Sequence, residues 1–345
     1  MFFRQVTAVS SRHTWFRKAV FCHLLLAGLA TAPTRAEVNE VTISRSFGLS
    51  YLPTMVMERE ALIEKQAAKA GIAGLKTSYA SQAGPNAMTD AMLSGSLHFA
   101  VIGPPSLALI WDRTGGGVKG LGAVAAYDMF LNTRNPNIKT LKDFTEKDRI
   151  AVPAVKIATS AVLLQMAAEK EFGPGQQFKL DPLTVGLGHP DAMAAVLNPT
   201  GDVNAHFATS PFHEAEMKAG FRTITTANAI NGGNTTQILF VSTEKFRAEN
   251  PKVFAAVDAA FIDAMAWINA DLKRAVRLYL EMSKDKKTTE EEAYAMVTQP
   301  GYAYARNPRK VENIANYMAR VGLIKTKPKS WKDMFFAEAH GLEGD

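Results

Sequence analysis

Cysteine is almost missing from this chain: among 345 residues there is one, Cys22. It falls in an N-terminal stretch with the marks of a removable leader, so the mature chain is expected to hold no thiol, disulfide or cysteine metal ligand. Val20-Phe21 ahead of Cys22 also fits poorly with a lipid anchor at that cysteine. Long hydrophobic runs are missing too. The N-terminal run at 19–30 is shorter than the ~20 apolar residues a membrane span needs, and no later run is expected to reach that length. Motifs of common catalysts are absent: there is no G-x-S-x-G, no P-loop and no H-E-x-x-H. Charge of one sign is lacking as well. The formal balance is +6, but Arg4, Arg12, Arg17, Lys18 and Arg35 of the leader supply five of those charges, leaving +1. Nothing in that balance points to nucleic acid or to an anionic membrane surface as a partner.

The leader itself is explicit. Basic residues precede the apolar run Ala19-Val-Phe-Cys-His-Leu-Leu-Leu-Ala-Gly-Leu-Ala, no acid occurs before Glu37, and Thr34-Arg35-Ala36 offers small residues at a cleavage site. This is the pattern of a secretory signal peptide. Residues 1–36 are assigned to it, and 345 residues less these 36 leaves a mature chain of 309. A chain of that length buries about 75% of its unfolded surface and needs no covalent staple.

The mature chain is organised around residues 84–112, GPNAMTDAMLSGSLHFAVIGPPSLALIWD. Gly84-Pro85-Asn86 predicts a helix start, Gly95 a stop, Leu97 to Ile102 a buried strand, and Gly103-Pro104-Pro105-Ser106 a second helix start at that strand's carboxyl end. In open α/β sheets ligands bind outside the carboxyl ends of the strands. Helix starts there carry free N–H groups and partial positive charge suited to an oxyanion. The alternative is that these glycines and prolines only make turns.

Strands are expected at 41–47, 76–81, 121–126, 149–153, 183–185, 203–208 and 221–224, alternating with helices. One helix is predicted over 54–70, and Thr159-Ser160 are expected to cap another over 161–172. The G-x-G-x-x-G lettering at 115–120 follows a helix and opens a strand, the reverse of a dinucleotide site, so it reads as a loop. Residues 231–234 read as a flexible break, and Thr236 to Ser242 as a late strand that returns to the first sheet. Helical faces follow at 253–268, 288–297 with Thr289 as cap, and 311–321, before an aromatic segment at 331–336 that docks on the body. The α/β alternation occurs twice, which divides the mature chain into a first lobe at 37–127, a second at 128–235, and a return with C-terminal helices at 236–345.

The strand-to-helix loops that would face a cleft between these lobes hold Ser50, Tyr51, Gly84, Pro85, Asn86, Gly103, Pro104, Pro105, Ser106, Thr159, Ser160, His189, Asp191 and Ser210, with His206 on a neighbouring strand. They offer hydroxyls and helix starts, with Tyr51 and Phe207 as apolar walls. Lys156 is the one cation near these loops, and it reads as a solvated surface lysine before it reads as a ligand contact. For His189 and His206, a satisfied half-buried imidazole stands beside ligand contact. Asp191 stabilises its own helix start and would repel an anion. His206 and His213 with Glu214 and Glu216 lack the close spacing of a metal site, and no metal or cofactor is expected.

FGLSYLP after the first strand, the 84–112 stretch and IAVPAVKIATSAVLLQMA together resemble the periplasmic substrate-binding proteins of ABC importers. The resemblance extends over the mature chain and is nearest to the receptors for nitrate, taurine and aliphatic sulfonates, with pyrimidine-precursor binders as relatives. It implies a type II fold of two α/β lobes joined by two crossovers, a monomer, and a periplasmic location. It also implies a small-molecule ligand held in the cleft without chemistry, and delivery to a membrane permease with its ATPase. In this family the positions of Ser50, Tyr51, Gly84 to Asn86, Gly103 to Pro105, Thr159 and Ser160 line the cleft. No arginine or lysine stands at those positions here, so a sulfonate or nitrate would rely on helix ends and hydroxyls, or the ligand is not an anion. The alternatives are a pyrimidine-precursor or small-carboxylate binder, a sensor, or an enzyme on the same fold working through His189 or His206.

Overall fold

The computed structural model describes residues 1–3, 5, 36–46, 48–81, 85–286 and 288–345, with the side chains of residues 85 and 86 excepted. The leader assignment and Gly84 lie outside the described residues. Met1–Ala36 and Glu37–Asp345 form separate units, and the strands and helices of the described residues belong to the second.

Among the described residues ten strands build two sheets of five. In chain order they are β1 (Glu40–Ser44), β2 (Lys76–Ala80), β3 (Phe99–Ile102), β4 (Val118–Ala126), β5 (Phe130–Thr133), β6 (Ile150–Val152), β7 (Thr184–Gly186), β8 (Ala205–Ala208), β9 (Arg222–Thr226) and β10 (Thr236–Thr243). The first sheet runs β2-β1-β3-β10-β4 and the second β7-β6-β8-β5-β9. In each, the fourth place is taken by a strand that arrives from the other lobe and lies antiparallel to its neighbours. β10 pairs Phe240 with Val101 of β3 on one side and with Gly122 of β4 on the other, and β5 pairs Leu131 with Phe207 of β8. The expected return of the late strand to the first sheet is what is found. β10 is buried from Thr236 to Ser242, which explains its unbroken apolar centre Ile-Leu-Phe-Val.

Helices fill both faces: α1 (Leu52–Arg59), α2 (Leu62–Lys69), α3 (Pro85–Ser94), α4 (Pro104–Arg113), α5 (Thr159–Phe172), α6 (His189–Leu197), α7 (Phe212–Lys218) and α8 (Ala227–Asn231), then α9 (Glu244–Glu249), α10 (Pro251–Ala270), α11 (Leu272–Ser283), α12 (Glu290–Val297) and α13 (Val311–Arg320). The helix expected over 54–70 is two. Ala61, at φ 47°, breaks it in a left-handed conformation, and both halves then lie on α10. Alanine is the best helix former, so tertiary packing overrides a local preference that gave no warning. The expected break at 231–234 begins with the last turn of α8, which Gly232 ends at φ 77°. The 12-residue α11 has no counterpart among the sequence expectations, although Asp271 caps it on the Arg274 N–H.

α10 corrects another expectation. Its 20 residues are, by length and composition, long and apolar enough to cross a membrane. Val253, Val257, Phe261, Ala264 and Ile268 are instead core residues of the first lobe, with Phe240 of β10 against Phe261 at 5.0 Å between ring centroids. Phe207, expected as a cleft wall, is wholly buried in the core. Strand alternation turns it away from the face that His206 occupies. Thr289 caps α12 as expected, in a reciprocal pair with Glu292.

The 115–120 glycine cluster is structural. Gly115 to Gly117 turn the chain into β4, and Gly120 lies under the Phe335 ring, where an added Cβ would sit 2.6 Å from Cε1. That aromatic segment docks as expected: Trp331 and Phe335 are buried, and their rings meet edge to face at 5.2 Å. A ring locked between Trp331 and a strand cannot yield cheaply. Gly120→Ala is therefore expected to cost about 1–3 kcal/mol, read as a lower urea midpoint with an unchanged m-value.

Candidate functional site

The loops at the carboxyl ends of the parallel strands meet between the lobes. β3 ends at Gly103 and β6 leads into α5, and these two ends touch: a Cβ at position 103 would overlap the Thr159 hydroxyl, and the Gln237 carbonyl oxygen would lie 3.6 Å from it. Further links join the lobes around this point. Gln299 Nε2 donates to Glu214 Oε1 at 2.9 Å, Lys218 meets Glu292 at 2.6 Å, and Arg320 meets Glu169 at 2.8 Å. Arg320 holds the Glu169 carboxyl below its ordinary range, chiefly by that hydrogen bond.

Helix starts differ sharply in what they offer this junction. α4 opens with Pro104 and Pro105, which have no N–H, and the Leu107 N–H is bonded to the Gly103 carbonyl; only Ser106 keeps a free first-turn donor. α3 begins with Pro85, and α6 has Pro190 in second place. α5 has no proline, so the N–H groups of Thr159, Ser160 and Ala161 lack helical acceptors. The expected caps are not caps. Ala158 is the N-cap residue, and Thr159 and Ser160 already lie inside the first turn. Their hydroxyls are thus released from capping. Ser160 is 1% exposed and its Oγ has no partner, and the same holds for Oε1 of Gln237, 2% exposed, whose Nε2 donates to the Tyr127 carbonyl at 3.1 Å. An unmet buried polar group costs about 1–3 kcal/mol, so two of them at one junction call for a partner.

The two crossover segments run beside this point. Asp128 Oδ1 accepts from the N–H groups of Met129 and Asn228, each at 2.9 Å, and the Ala227 N–H donates to the Met129 carbonyl at 2.8 Å, so the segments are tied together. Tyr127, just before Asp128, stacks on Tyr302 at 5.6 Å. Tyr304 packs edge-on to Tyr302 and donates to the Leu49 carbonyl at 2.7 Å. Burial pushes the phenols of Tyr51, Tyr127, Tyr302 and Tyr304 up, so all four stay protonated.

In the second lobe a chain of polar side chains runs through the core. Glu216 and His206 are fully buried, with Oε1 and Nδ1 2.6 Å apart. His206 Nε2 lies 2.9 Å from His189 Nδ1, and the His189 ring stacks on Phe212 at 5.6 Å. Asn132 donates to Glu216 Oε2 at 2.8 Å and reaches His213 Nδ1 at 3.1 Å. Ser210 donates to Glu214 Oε1 at 2.6 Å. The four residues weighed as a metal cluster are therefore engaged in hydrogen bonds; among the described residues no group has the arrangement of a metal site.

Two cavities are lined by both lobes. One, of about 440 Å³, lies among Asp90, Ser106, Arg113 and, from the second lobe, Ile157. The other, of about 400 Å³, has Gly48 and Tyr279 on the first-lobe side and Pro190, Pro211, Phe212 and Glu214 opposite.

The structure sets Gly103 against Thr159, with Ser160 next in the same helical turn, and puts Ser106 on one interlobe cavity; Ser210 bonds to Glu214 and His189 stacks on Phe212, both of which line the other. Ser50, Tyr51, Pro104 and Pro105 are not among the lining residues of either cavity. Pro85 opens α3 and Asn86 follows it, while Gly84 is outside the described residues. His206 is fully buried behind His189 and lines neither cavity, because β8 is an inner strand. Asp191 is exposed on α6, and Lys156 is exposed on its loop. Sequence reasoning missed Tyr127, Gln237, Gln299, Tyr302 and Tyr304. The tyrosine before the β4–β5 crossover had a usable signal, since any crossover must pass the cleft. Gln299, Tyr302 and Tyr304 lie in an irregular segment with none.

The His189 imidazole titrates far below its ordinary 6.5, at about 3, because burial and the facing His206 both oppose its charge. The unfolded chain binds that proton near pH 6.5 and the folded chain does not, so folding weakens as pH falls through this window. His213 shifts the same way, mainly through burial. The melting temperature is expected to fall between pH 6.5 and 5, above the carboxylate range, with a shallower slope in His189→Phe; equal slopes in calorimetry would contradict this.

No protein-family model and no curated protein matches the chain. Solved structures do. The periplasmic aliphatic sulphonate binding protein SsuA from Escherichia coli is 17% identical with a TM-score of 0.64, covering 87% of this chain and 92% of its own. The periplasmic nitrate-binding protein NrtA from Synechocystis PCC 6803 is 14% identical with a TM-score of 0.66, covering 89% and 90%. A Candida albicans gene product, described as defining a new family with the generic periplasmic binding protein fold, is 10% identical with a TM-score of 0.62, covering 86% and 95%. At such identities the likeness carries the architecture: this chain has the two-lobed α/β fold of the periplasmic binding proteins.

Proposed function

We propose that the chain is an exported solute-binding protein that closes its lobes on a small organic ligand and passes it unchanged to an ABC-type importer. The observation that carries this reading is the buried, unpartnered Ser160 hydroxyl in the first turn of α5, at the contact between Gly103 and Thr159. It stands among free helix-start N–H groups where the second lobe meets the first, and a ligand's acceptor atom would satisfy them together. Gln237 Oε1 offers an acceptor from the other lobe. Lobes tied by crossovers and closed by few polar contacts suit a hinged clamp. The neighbours described as sulphonate- and nitrate-binding proteins support the class of solute, and the leader supports a periplasmic location. With no metal-like cluster among the described residues and no catalytic motif in the sequence, binding without turnover is the simplest role.

Ligand that co-purifies should be identified by mass spectrometry and then stripped by unfolding and refolding. The stripped protein is expected to melt higher with one of ethanesulfonate, taurine, nitrate, a small carboxylate or a pyrimidine. Ligand at 100 times Kd adds about 2.7 kcal/mol of stability. A flat response to all of them, with nothing co-purified, would sink the proposal. Gly103→Val should leave the secondary structure intact, hold the lobes apart, and weaken binding of the responding ligand at least tenfold. Unchanged affinity in calorimetry would move the site away from this junction.

A further inference from the structure

The chain Glu216–His206–His189 lies in the second lobe, apart from the contact between Gly103 and Thr159. Its hydrogen-bond directions can be worked out from its partners. Thr223 donates to Asn132 Oδ1 at 2.8 Å, which leaves the Asn132 amide with two N–H donors. One goes to Glu216 Oε2 and the other to His213 Nδ1. Oε2 is therefore an acceptor, and the remaining oxygen, Oε1, faces His206 Nδ1 at 2.6 Å.

Three protonation states are open to the Glu216–His206 pair. A carboxylate beside an imidazolium is net neutral. So is a carboxylic acid donating to His206 Nδ1. A carboxylate beside a neutral imidazole leaves a net negative charge in a place where both side chains have no exposure. There the carboxylate has the Asn132 and His206 hydrogen bonds but no opposite charge, and burying that net charge is costlier than burying either neutral arrangement. Both neutral arrangements share one feature: His206 carries a proton on Nε2. That N–H points at His189 Nδ1, 2.9 Å away, and makes it the acceptor. A neutral His189 must then carry its own proton on Nε2. Its pKa of about 3 keeps it neutral at ordinary pH.

His189 is the first residue of α6, partly exposed, stacked on Phe212 and followed by Pro190. His189 does not itself line the 400 Å³ interlobe cavity, but Pro190 beside it and Phe212 stacked on it both do, and no hydrogen bond is found for His189 Nε2 among the described residues. We propose that the buried Glu216–His206 pair locks His189 as an Nε2–H donor toward this cavity. His189 would then be a specificity-determining residue that selects a ligand acceptor atom. Glu216 and His206 are positioning residues acting through it. The ligand part of this inference rests on the solute-binding function proposed for the chain; the direction of the hydrogen bonds does not.

The test is long-range proton–nitrogen NMR of the histidine rings in the full mature chain at pH 7, with His189 assigned by its loss in His189→Phe. The expected result is the Nε2–H tautomer at His189, and an Nδ1–H tautomer or an imidazolium there overturns the lock. Glu216→Gln discriminates further. Asn132 still requires an acceptor at the Oε2 position, so the new amide must present its N–H groups to His206 Nδ1. The His189 tautomer is then kept and affinity stays within threefold, although the charge is gone; a flipped tautomer refutes the relay. For the ligand part, ethanesulfonate, nitrate and acetate are titrated into wild type and His189→Phe, with at least a tenfold loss expected in the variant. Equal affinities overturn the role assigned to His189. If the wild type binds none of them, the solute reading for these anions and the selective role both fall, while the tautomer still decides the lock.

Discussion

The approach of Thr159 to Gly103 is the contact on which the cleft depends. It brings the end of β3 in one lobe against the start of α5 in the other, with the Gln237 carbonyl beside them. Any side chain at position 103 would fill the space the Thr159 hydroxyl occupies. The same contact decides which helix start matters. α4, α3 and α6 all carry proline in their first two positions, and a proline gives up a donor in exchange for a preset φ. α5 alone among these keeps its full set of first-turn N–H groups, and it is the one that meets the opposite lobe. The field of a helix start remains at all four, but the directed donors are concentrated at one.

Around that point the protein stays short of charge. The four phenols are held protonated by burial, and the carboxylate of Glu214 has one oxygen bonded from both lobes, by Ser210 on one side and Gln299 on the other. Asp128 spends its Oδ1 on the two crossover segments, so a carboxylate beside the hinge ties backbone N–H groups together. The outer links, Lys218 with Glu292 and Arg320 with Glu169, are ion pairs at the rim, where solvent screens at least one partner of each and the contact is weak. Closure held by weak rim contacts and one tight centre can be shifted by the binding energy of a modest ligand.

How much of this was legible in the sequence depends on distance along the chain. The alternation of strands and helices, the return of β10, the docking of Trp331 and Phe335 and the structural nature of the 115–120 glycines all follow from local patterns. The prolines at 85, 104, 105 and 190 were equally visible, and their missing donors could have been deducted from the oxyanion argument at once. What was not legible arises between distant segments. Thr159 and Ser160 look like caps because hydroxyls before an apolar run usually cap; Ala158 takes that place instead because the chain reaches helical geometry one residue earlier. Tyr302 and Tyr304 come to the cleft from a stretch between α12 and α13 with no periodicity of its own. The break at Ala61 serves contacts with a helix almost two hundred residues away.

The histidines show why local reading stops where it does. His189, His206 and His213, with Glu216, are scattered over three elements with no common spacing, and each alone could be a satisfied core group. Together they are a single hydrogen-bonded object whose parts cannot be assigned separately: the Thr223 hydroxyl fixes the Asn132 amide, the amide fixes one oxygen of Glu216, and the need for neutrality fixes the rest. Whether an ion pair or a neutral acid–imidazole pair, a buried polar pair is weak evidence for stability, since well-packed apolar residues of the same volume would often serve as well or better. Its retention therefore asks for another reason. Holding one ring nitrogen of His189 in a fixed state at the edge of the interlobe cavity is such a reason, because an imidazole free to exchange tautomers would meet donor and acceptor ligands alike, and a locked one does not.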